Sequence, residues 1–462
     1  MSQDNLCLDR SKLNAFTEQQ TREFQLKIPK SLAMFEESSK VMPSGVPSPW
    51  MGLFYPGTKM FIEEGKGCHF QDVDGNLFLD MTQCDLSMVC GFGPEAVTKA
   101  VAEQFSKGSH FLLPTENAII TSKLLGDRYR MPFWQYTLSA SAANTEAIRI
   151  SRYATGRDKV LVFAGKYHGH IDEALVSASD EADKMVHDQL GLPKHATEGT
   201  VTVPFNDLDA IERELKKGDI ACVLTEPVLT NIGVVLPDEG FHTRLRELTR
   251  QYGAKLIIDE THTQAGHYGG FTNFWKLEPD ILSLGKSVGG GVPFGAYGLS
   301  QEMGELLDKS KVVENEGRQN IALGGTLYGN ALNMAAARAA LEHVLTEKAY
   351  QRVQRLAKKL TDGMEEAIIT RNYPWCVYRL PNRTGICLNK SLPRTGDEGR
   401  ASIDRDFSLA VRAFMANRNI WEPILWHAPS VSFAHEEKDV DTYLTAFNDV
   451  LDVFQDMRLD VK

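Results

Sequence analysis

Two short segments carry residues able to do chemistry together. In Leu256–Glu260 (LIIDE) a β-branched run ends in Asp259. In Pro279–Pro293 (PDILSLGKSVGGGVP) the apolar residues Ile281, Leu282 and Leu284 lead to Lys286, followed by Gly289, Gly290 and Gly291. Each run is short and bounded by turn formers, the pattern of a strand buried in a parallel sheet. Ligands of open α/β sheets bind beyond the carboxyl ends of the strands. The two runs therefore bring a carboxylate and an amine to one crevice. Pyridoxal phosphate requires that pair: an amine to form an imine, and an acid to keep the ring nitrogen protonated so that the ring accepts electrons. The bland alternative is a capping aspartate and a surface lysine.

Other candidates lie upstream. The segment LSASAANTEAIRISR (138–152) puts Ser139, Ala140 and Ser141 between a strand and a helix. Free N–H groups at a helix N-terminus cradle phosphate, and small residues let it approach, although serine there is also an ordinary N-cap. Tyr167 in YHGH (167–170) could cover one face of a flat ring. His168, His170 and Asp172 have loose metal-ligand spacing and no third ligand in register, so no metal site is expected. Glu226 ends another apolar run, with Asn231 five residues on. Gly285-Lys286-Ser287 is not a phosphate-binding P-loop: that motif needs a glycine at 280, where Asp stands, and here the glycines follow the lysine.

The elements that must position these residues alternate between about 110 and 330. Strands are expected at Tyr136–Leu138, Lys159–Phe163, Cys222–Leu224, Lys255–Ile258 and Ile281–Leu284, and helices at Ala142–Ala154, Leu208–Lys217 and Phe241–Tyr252. Such alternation means a mostly parallel sheet flanked by helices. Before it come a helical arm to about residue 40, a Pro/Gly-rich loop at Gly45–Pro56, and strands between Met60 and Asp80 turning at Asp74-Gly75. After Asn330 the pattern is helical to Arg371, then mixed α+β. The expected division is an N-terminal arm with part of a small domain (1–80), a large cofactor-binding domain (81–330) and a C-terminal small domain (331–462).

Composition removes whole classes of function. With 42% hydrophobic and 24% charged residues, the 462-residue chain is an ordinary globular protein able to bury a large core. A net charge of −11 argues against nucleic acid as a partner. No apolar run approaches the roughly 20 residues of a membrane helix, and the polar first 30 residues lack a signal-peptide core. Seven scattered cysteines without a CxxC suggest reduced thiols and a cytoplasmic location.

Taken together the motifs carry a resemblance. DVDGNLFLD (72–80), AIRISRYATGR (147–157), YHGH (167–170), TVPFND (202–207), EPV (226–228), LIIDE (256–260), PDILSLGKSVGGGVPFGAYG (279–298) and GTLYGN (325–330) occur in order. With these blocks the chain, from about Met42 to Leu451, resembles fold-type I, class III aminotransferases, and within them the glutamate-1-semialdehyde 2,1-aminomutase branch. The resemblance implies an α/β fold with a large domain and a smaller α+β domain. It implies that Lys286 binds pyridoxal phosphate covalently and moves a proton, and that Asp259 pairs with the ring nitrogen. Ser139, Ala140 and Ser141 would hold the phosphate, helped by Thr326 from the neighbouring chain of a homodimer with a shared active site. Tyr167 and Thr261 would lie on the two ring faces, Asn231 near the ring hydroxyl, and His168 and Glu226 among the cofactor contacts.

The departures from that pattern concern substrate. An arginine follows Ser-Pro in the aminomutase loop to grip a carboxylate; this chain has Ser48-Pro49-Trp50-Met51. A Ser-Trp pair facing the substrate is replaced by Cys84-Asp85, and Gly-Phe-Arg by Gln264-Ala265-Gly266. Trp50, Met51, Cys84 and Asp85 are thus the candidate substrate pocket. Loss of a bidentate arginine removes the best carboxylate anchor, and an aspartate would repel one. The expectation is an aminotransferase taking an amino group from a small-molecule amine that lacks the arginine-bound carboxylate, and passing it to an oxo acid such as pyruvate. An aminomutase, or a catalytically silent binding protein on the same fold, is the alternative.

Overall fold

The computed structural model describes residues 6–54, 59–176, 191–310, 321–381, 383–422 and 428–459. Two compact units emerge: Glu95–Tyr350 with Pro393–Arg400, and Met1–Pro94 with Gln351–Leu392 and Ala401–Lys462. The chain passes from one unit to the other after Pro94 and again after Tyr350, downstream of the boundaries at 80 and 330 that composition suggests. Strands are numbered in chain order.

In the smaller unit β1 (Ile62–Lys66), β2 (His69–Asp72) and β3 (Leu77–Asp80) form an antiparallel meander. The larger unit is built on β4 (Phe133–Thr137), β5 (Lys159–Phe163), β6 (Thr200–Val203), β7 (Ile220–Thr225), β8 (Lys255–Asp259), β9 (Ile281–Gly285) and β10 (Gly295–Leu299). The chain returns to the smaller unit with the hairpin β11 (Cys376–Leu380) and β12 (Arg383–Cys387). There β13 (Ile420–Trp421) pairs in parallel with β3.

The seven strands of the larger unit lie in the order β4-β10-β9-β8-β7-β5-β6. The pairs from β9 to β6 are parallel, whereas β10 runs antiparallel to both β4 and β9. Every residue of β7, β9 and β10 is buried, which is why these strands read as continuous runs without alternation. Helix Ala140–Thr155 starts where Ser139 Oγ accepts the Ala142 N–H at 3.2 Å and stops at Gly156 in left-handed conformation. Its face of Ala143, Ala147 and Ile150 packs on Val160, Leu224 and Ile257 of the sheet. Each buried valine, leucine or isoleucine of this layer contributes about 1.5–3 kcal/mol.

All five strands and all three helices expected in this region are present, with ends displaced by up to three residues. Two strands were not anticipated. β6 (TVTV) is an edge strand of four residues, and β10 (GAYGL) is glycine-rich and β-poor by composition.

The smaller unit encloses an aromatic core in which Phe70 stacks on Phe78 at 5.3 Å, with Phe24 and Trp421 edge-on. The expected helical arm is two helices, Arg10–Gln25 and Pro29–Ser38. The expected loop Gly45–Pro56 holds a short helix at Pro49–Phe54, and residues 55 and 56 lie outside those described. No helix among the described residues is long and apolar enough to cross a membrane.

Candidate active site

Asp259 closes β8 and Gly285 closes β9. The two strands are parallel neighbours, with Asp259 level with Ser283, so Asp259 and Lys286 leave adjacent strand tips at the same edge of the sheet. Lys286 has φ +50°, the left-handed region that non-glycine residues rarely enter. Such backbone strain gathers where surrounding structure over-determines a functional side chain.

The carboxylate of Asp259 is 3% exposed and fully engaged. Its Oδ2 accepts Asn144 Nδ2–H at 2.8 Å and faces His168 Nδ1 at 2.9 Å, while Oδ1 accepts the Thr261 N–H at 3.0 Å. Burial works to raise this carboxyl, but the hydrogen bond and charge of His168, with the Thr261 bonds, overcome it and hold Asp259 down at about 2. These contacts favour the anion. Asn144 also donates to the His168 backbone carbonyl at 3.0 Å, locking helix, loop and strand tip together. Sequence reasoning missed Asn144; the signal was its place one helical turn into the ASAANTE segment, on the face toward the sheet.

Glu226, at the end of β7, behaves in the opposite way. Burial pushes it up to about 7 and the charge of Asp259 adds to the rise, against the pull of His168 and Thr230. Its Oε2 accepts from Thr230 Oγ1 at 2.6 Å, and its Oε1 from Asn231 Nδ2 at 3.2 Å. Thr230 Oγ1 in turn lies 2.7 Å from His262 Nδ1. Thr230 and His262, unremarkable in sequence, thus join Glu226 and Asn231 in one buried polar network. His168 and His170, read together in the sequence, separate here: His168 is buried against Asp259, and His170 is exposed with only its backbone N–H engaged, on Ser141 Oγ at 3.0 Å.

The turn before helix Ala140–Thr155 is crowded by three glycines. A Cβ on Gly285 would stand 2.8 Å from Ala140 Cβ and 3.1 Å from its nitrogen. One on Gly169 would meet Ser141 Cβ at 2.8 Å, and one on Gly295 would collide with the Ser139 carbonyl. These close approaches hold Ser139–Ser141 against the ends of β9 and β10, beside Lys286. Ser139 Oγ caps its own helix, so the first-turn N–H groups of the 16-residue helix form the anion-binding end. Tyr167 is 42% exposed at the same edge of the sheet, and Thr326 is exposed in the loop before Asn330.

The four substrate-pocket candidates lie in the smaller unit. Trp50 and Met51 are exposed on the helix Pro49–Phe54. Cys84 and Asp85 sit in a run of four non-glycine residues, Gln83 to Leu86, all with φ between +48° and +65°. A left-handed turn of L-residues costs roughly 1–2 kcal/mol per residue. Asp80 holds it: its Oδ1 accepts from Thr82 N, Thr82 Oγ1 and Gln83 N at 2.9–3.0 Å. Asp85 is not the bare repelling charge that its sequence position suggested. Its Oδ1 accepts from Nη2 of Arg383, at 2.8 Å, and the Arg383 side chain is only 1% exposed. Nothing in the sequence around Arg383 marked it, because its partner lies 298 residues away.

These residues fit pyridoxal phosphate: an amine and a carboxylate on adjacent strand tips, next to a glycine-cleared helix N-terminus for the phosphate. Comparison with known proteins agrees. The model of the family described as aminotransferase class-III matches residues 55–375. A glutamate-1-semialdehyde 2,1-aminomutase from Persephonella marina is 33% identical over 431 residues, 92% of this chain and 99% of the relative. The crystal structure of a glutamate-1-semialdehyde aminomutase from Pseudomonas aeruginosa PAO1 superposes with a TM-score of 0.91 at 33% identity, covering 97% of this chain and 99% of the other. An omega-transaminase from Sphaerobacter thermophilus follows at 0.83 and 28%, covering 92% and 98%. A mostly parallel sheet flanked by helices, strand tips whose residues fit pyridoxal phosphate, and these likenesses have one meaning: the chain belongs to the class-III aminotransferase family, of fold type I.

Proposed function

We propose that the chain is a pyridoxal phosphate enzyme of the aminomutase type, moving an amino group between neighbouring carbons of one amino-oxo substrate without an outside acceptor. The likeness to glutamate-1-semialdehyde 2,1-aminomutases over nine-tenths of the chain carries this reading. It reverses the order of preference suggested by Met51, Cys84-Asp85 and Gln264-Ala265-Gly266, and pairing of Asp85 with Arg383 supports the reversal. A neutralised aspartate gives no reason to exclude carboxylated substrates.

When bound, the cofactor supplies an electron sink for the carbon that loses a proton. The chain's residues would divide the remaining work. Lys286, half-buried just past β9, would hold the cofactor and carry the proton between the substrate carbon and the cofactor's C4′. Asp259 would keep the ring nitrogen protonated, oriented by Asn144 and His168. Ala140 and Ser141 N–H groups, with Ser139 capping behind them, would bind the phosphate together with Thr326 of a second copy. Tyr167 and Thr261 would bracket the ring, and Asn231, buttressed by Glu226, would approach its hydroxyl. A homodimer in the cytoplasm belongs to the same proposal, supported by the exposed loop around Thr326 and by seven cysteines held as thiols rather than disulfides.

A second reading is favoured by the missing arginine at Met51 and by the omega-transaminase likeness: transfer from an amine to an oxo acid. Two assays on the purified enzyme decide between them. Glutamate-1-semialdehyde without acceptor should be isomerised under the first reading. Turnover of an amine panel only when pyruvate or 2-oxoglutarate is present would sink it in favour of the second.

A further inference from the structure

The smaller unit holds a cluster of ligand-type side chains that the cofactor chemistry does not use. Cys68 Sγ lies 3.4 Å from His69 Nδ1 and 3.5 Å from Asp439 Oδ2. His69 Nε2 stands 3.9 Å from Asp439 Oδ1. One ligand atom from each of the three falls within 4.8 Å of the others.

Local structure explains how adjacent residues converge. Gly67, at φ +63°, and Cys68 form the two-residue turn between β1 and β2, whose closing pair is Lys66 and His69. Gly67 is pinned on both sides by Phe92, its N–H on the Phe92 carbonyl at 3.0 Å and its carbonyl on the Phe92 N–H at 2.7 Å. In a turn, neighbouring side chains escape the alternation of a strand, so Cys68 and His69 can both face Asp439. Asp439 is the third residue of helix Glu437–Gln455, where it accepts the Glu436 N–H at 2.8 Å in a capping box. Capping accounts for the aspartate alone. It requires neither a buried thiol on the same oxygen nor an imidazole on the other.

We propose that Cys68, His69 and Asp439 form a binding site for one divalent zinc-class cation. The dimensions support it. With metal–sulfur near 2.3 Å and metal–nitrogen or –oxygen near 2.0–2.2 Å, the edges of a tetrahedron from sulfur are about 3.5–3.7 Å. The two sulfur distances here, 3.4 and 3.5 Å, are close to that length, and a turn of the imidazole, whose Nε2 now faces Asp439 Oδ1 at 3.9 Å, would close the third side. Thiolate, imidazole and carboxylate together select zinc over magnesium or calcium, which take oxygen ligands. Charge balances as well: the thiol proton, now directed at Asp439, leaves, and thiolate plus carboxylate neutralise a dication. The Glu436 N–H remains on the carboxylate and orients it. The His69 side chain is 35% exposed, so solvent could reach a fourth ligand position. The cation would clip the β1–β2 turn to the start of a helix 371 residues later.

The test uses the holoenzyme. Dialysis against zinc followed by elemental analysis should find one equivalent bound. Cobalt substitution should give tetrahedral d–d absorption in the red, beyond the cofactor's own bands. Cys68→Ser and His69→Gln should each weaken zinc binding at least 100-fold and abolish the rise in Tm that zinc gives the parent protein. Because His69 lies near the surface, His69→Gln decides the matter if Cys68→Ser does not accumulate. Absence of a stoichiometric cation in the parent, or unchanged binding in His69→Gln, would overturn the site.

Discussion

Two carboxylates at neighbouring strand tips are driven in opposite directions by their surroundings. Asp259 is held near 2 by His168 and Thr261, against its burial, and Glu226 is lifted to about 7 by burial. Environments that push paired groups apart divide roles between them. Asp259→Asn should lower kcat at least about 100-fold, as removal of one preorganised electrostatic partner does, and should weaken retention of the protonated cofactor. Wild-type turnover in that variant would refute the assignment of Asp259. Lys286→Ala should show no measurable turnover, and hydride reduction of the parent should fix a pyridoxyl label on position 286. Glu226 makes a prediction of its own about pH. Its folded value lies above the ordinary 4.5, so the folded state holds the proton more tightly than the unfolded state. The stability it contributes is complete below about 4.5 and is lost as pH rises through about 7. Urea midpoints measured across that window should fall with pH in the parent and fall less in Glu226→Gln. Equal slopes would remove Glu226 from this role.

Among the elements, the tip of β9 and the start of helix Ala140–Thr155 are joined by an approach that only glycine permits. Gly285→Ala puts a methyl 2.8 Å from Ala140 Cβ on a strand whose every residue is buried. Overpacking of this kind costs about 1–3 kcal/mol, and here the yielding element is the proposed phosphate turn. Titration of the apoenzyme with pyridoxal phosphate should therefore show affinity reduced by about 10-fold or more, with the sheet intact by circular dichroism. Unchanged affinity would mean that the turn has slack. Both partners of this approach were legible as motifs, SAS before a helix and GK after a strand. Their packing against each other was not, because it depends on β10 running antiparallel between β4 and β9, with Gly295 level with both Thr137 and Gly285.

Across the whole chain, a long-range ion pair with one buried partner decides what composition cannot. Arg383 and Asp85 come from opposite ends of the sequence and close on each other under a left-handed turn. Breaking the bond between a buried guanidinium and a carboxylate that is 19% exposed costs about 1.5–3 kcal/mol. Arg383→Met should thus lower the urea midpoint markedly, and Asp85→Asn in the same chain should recover part of the loss. If the double variant is no better than the single, the pair is not coupled. Met51→Arg addresses substrate choice directly: a gain of about 10-fold or more in kcat/KM for carboxylated substrates is expected if Met51 lines the pocket.

What the order of residues determined by itself was local: strand and helix periodicity, the turn formers that bound them, and the charged residues at strand ends. Those features act over a few residues, so the Lys286 and Asp259 pair, and the family motifs around it, could be read directly. Tertiary structure alone decided which distant groups meet. Asn144 on Asp259, Arg383 on Asp85, and Cys68 with Asp439 join residues 115, 298 and 371 positions apart. Their energies arise from burial and from hydrogen bonds across the fold. No spacing along the chain encodes such contacts, because they exist only once the sheet order has been set.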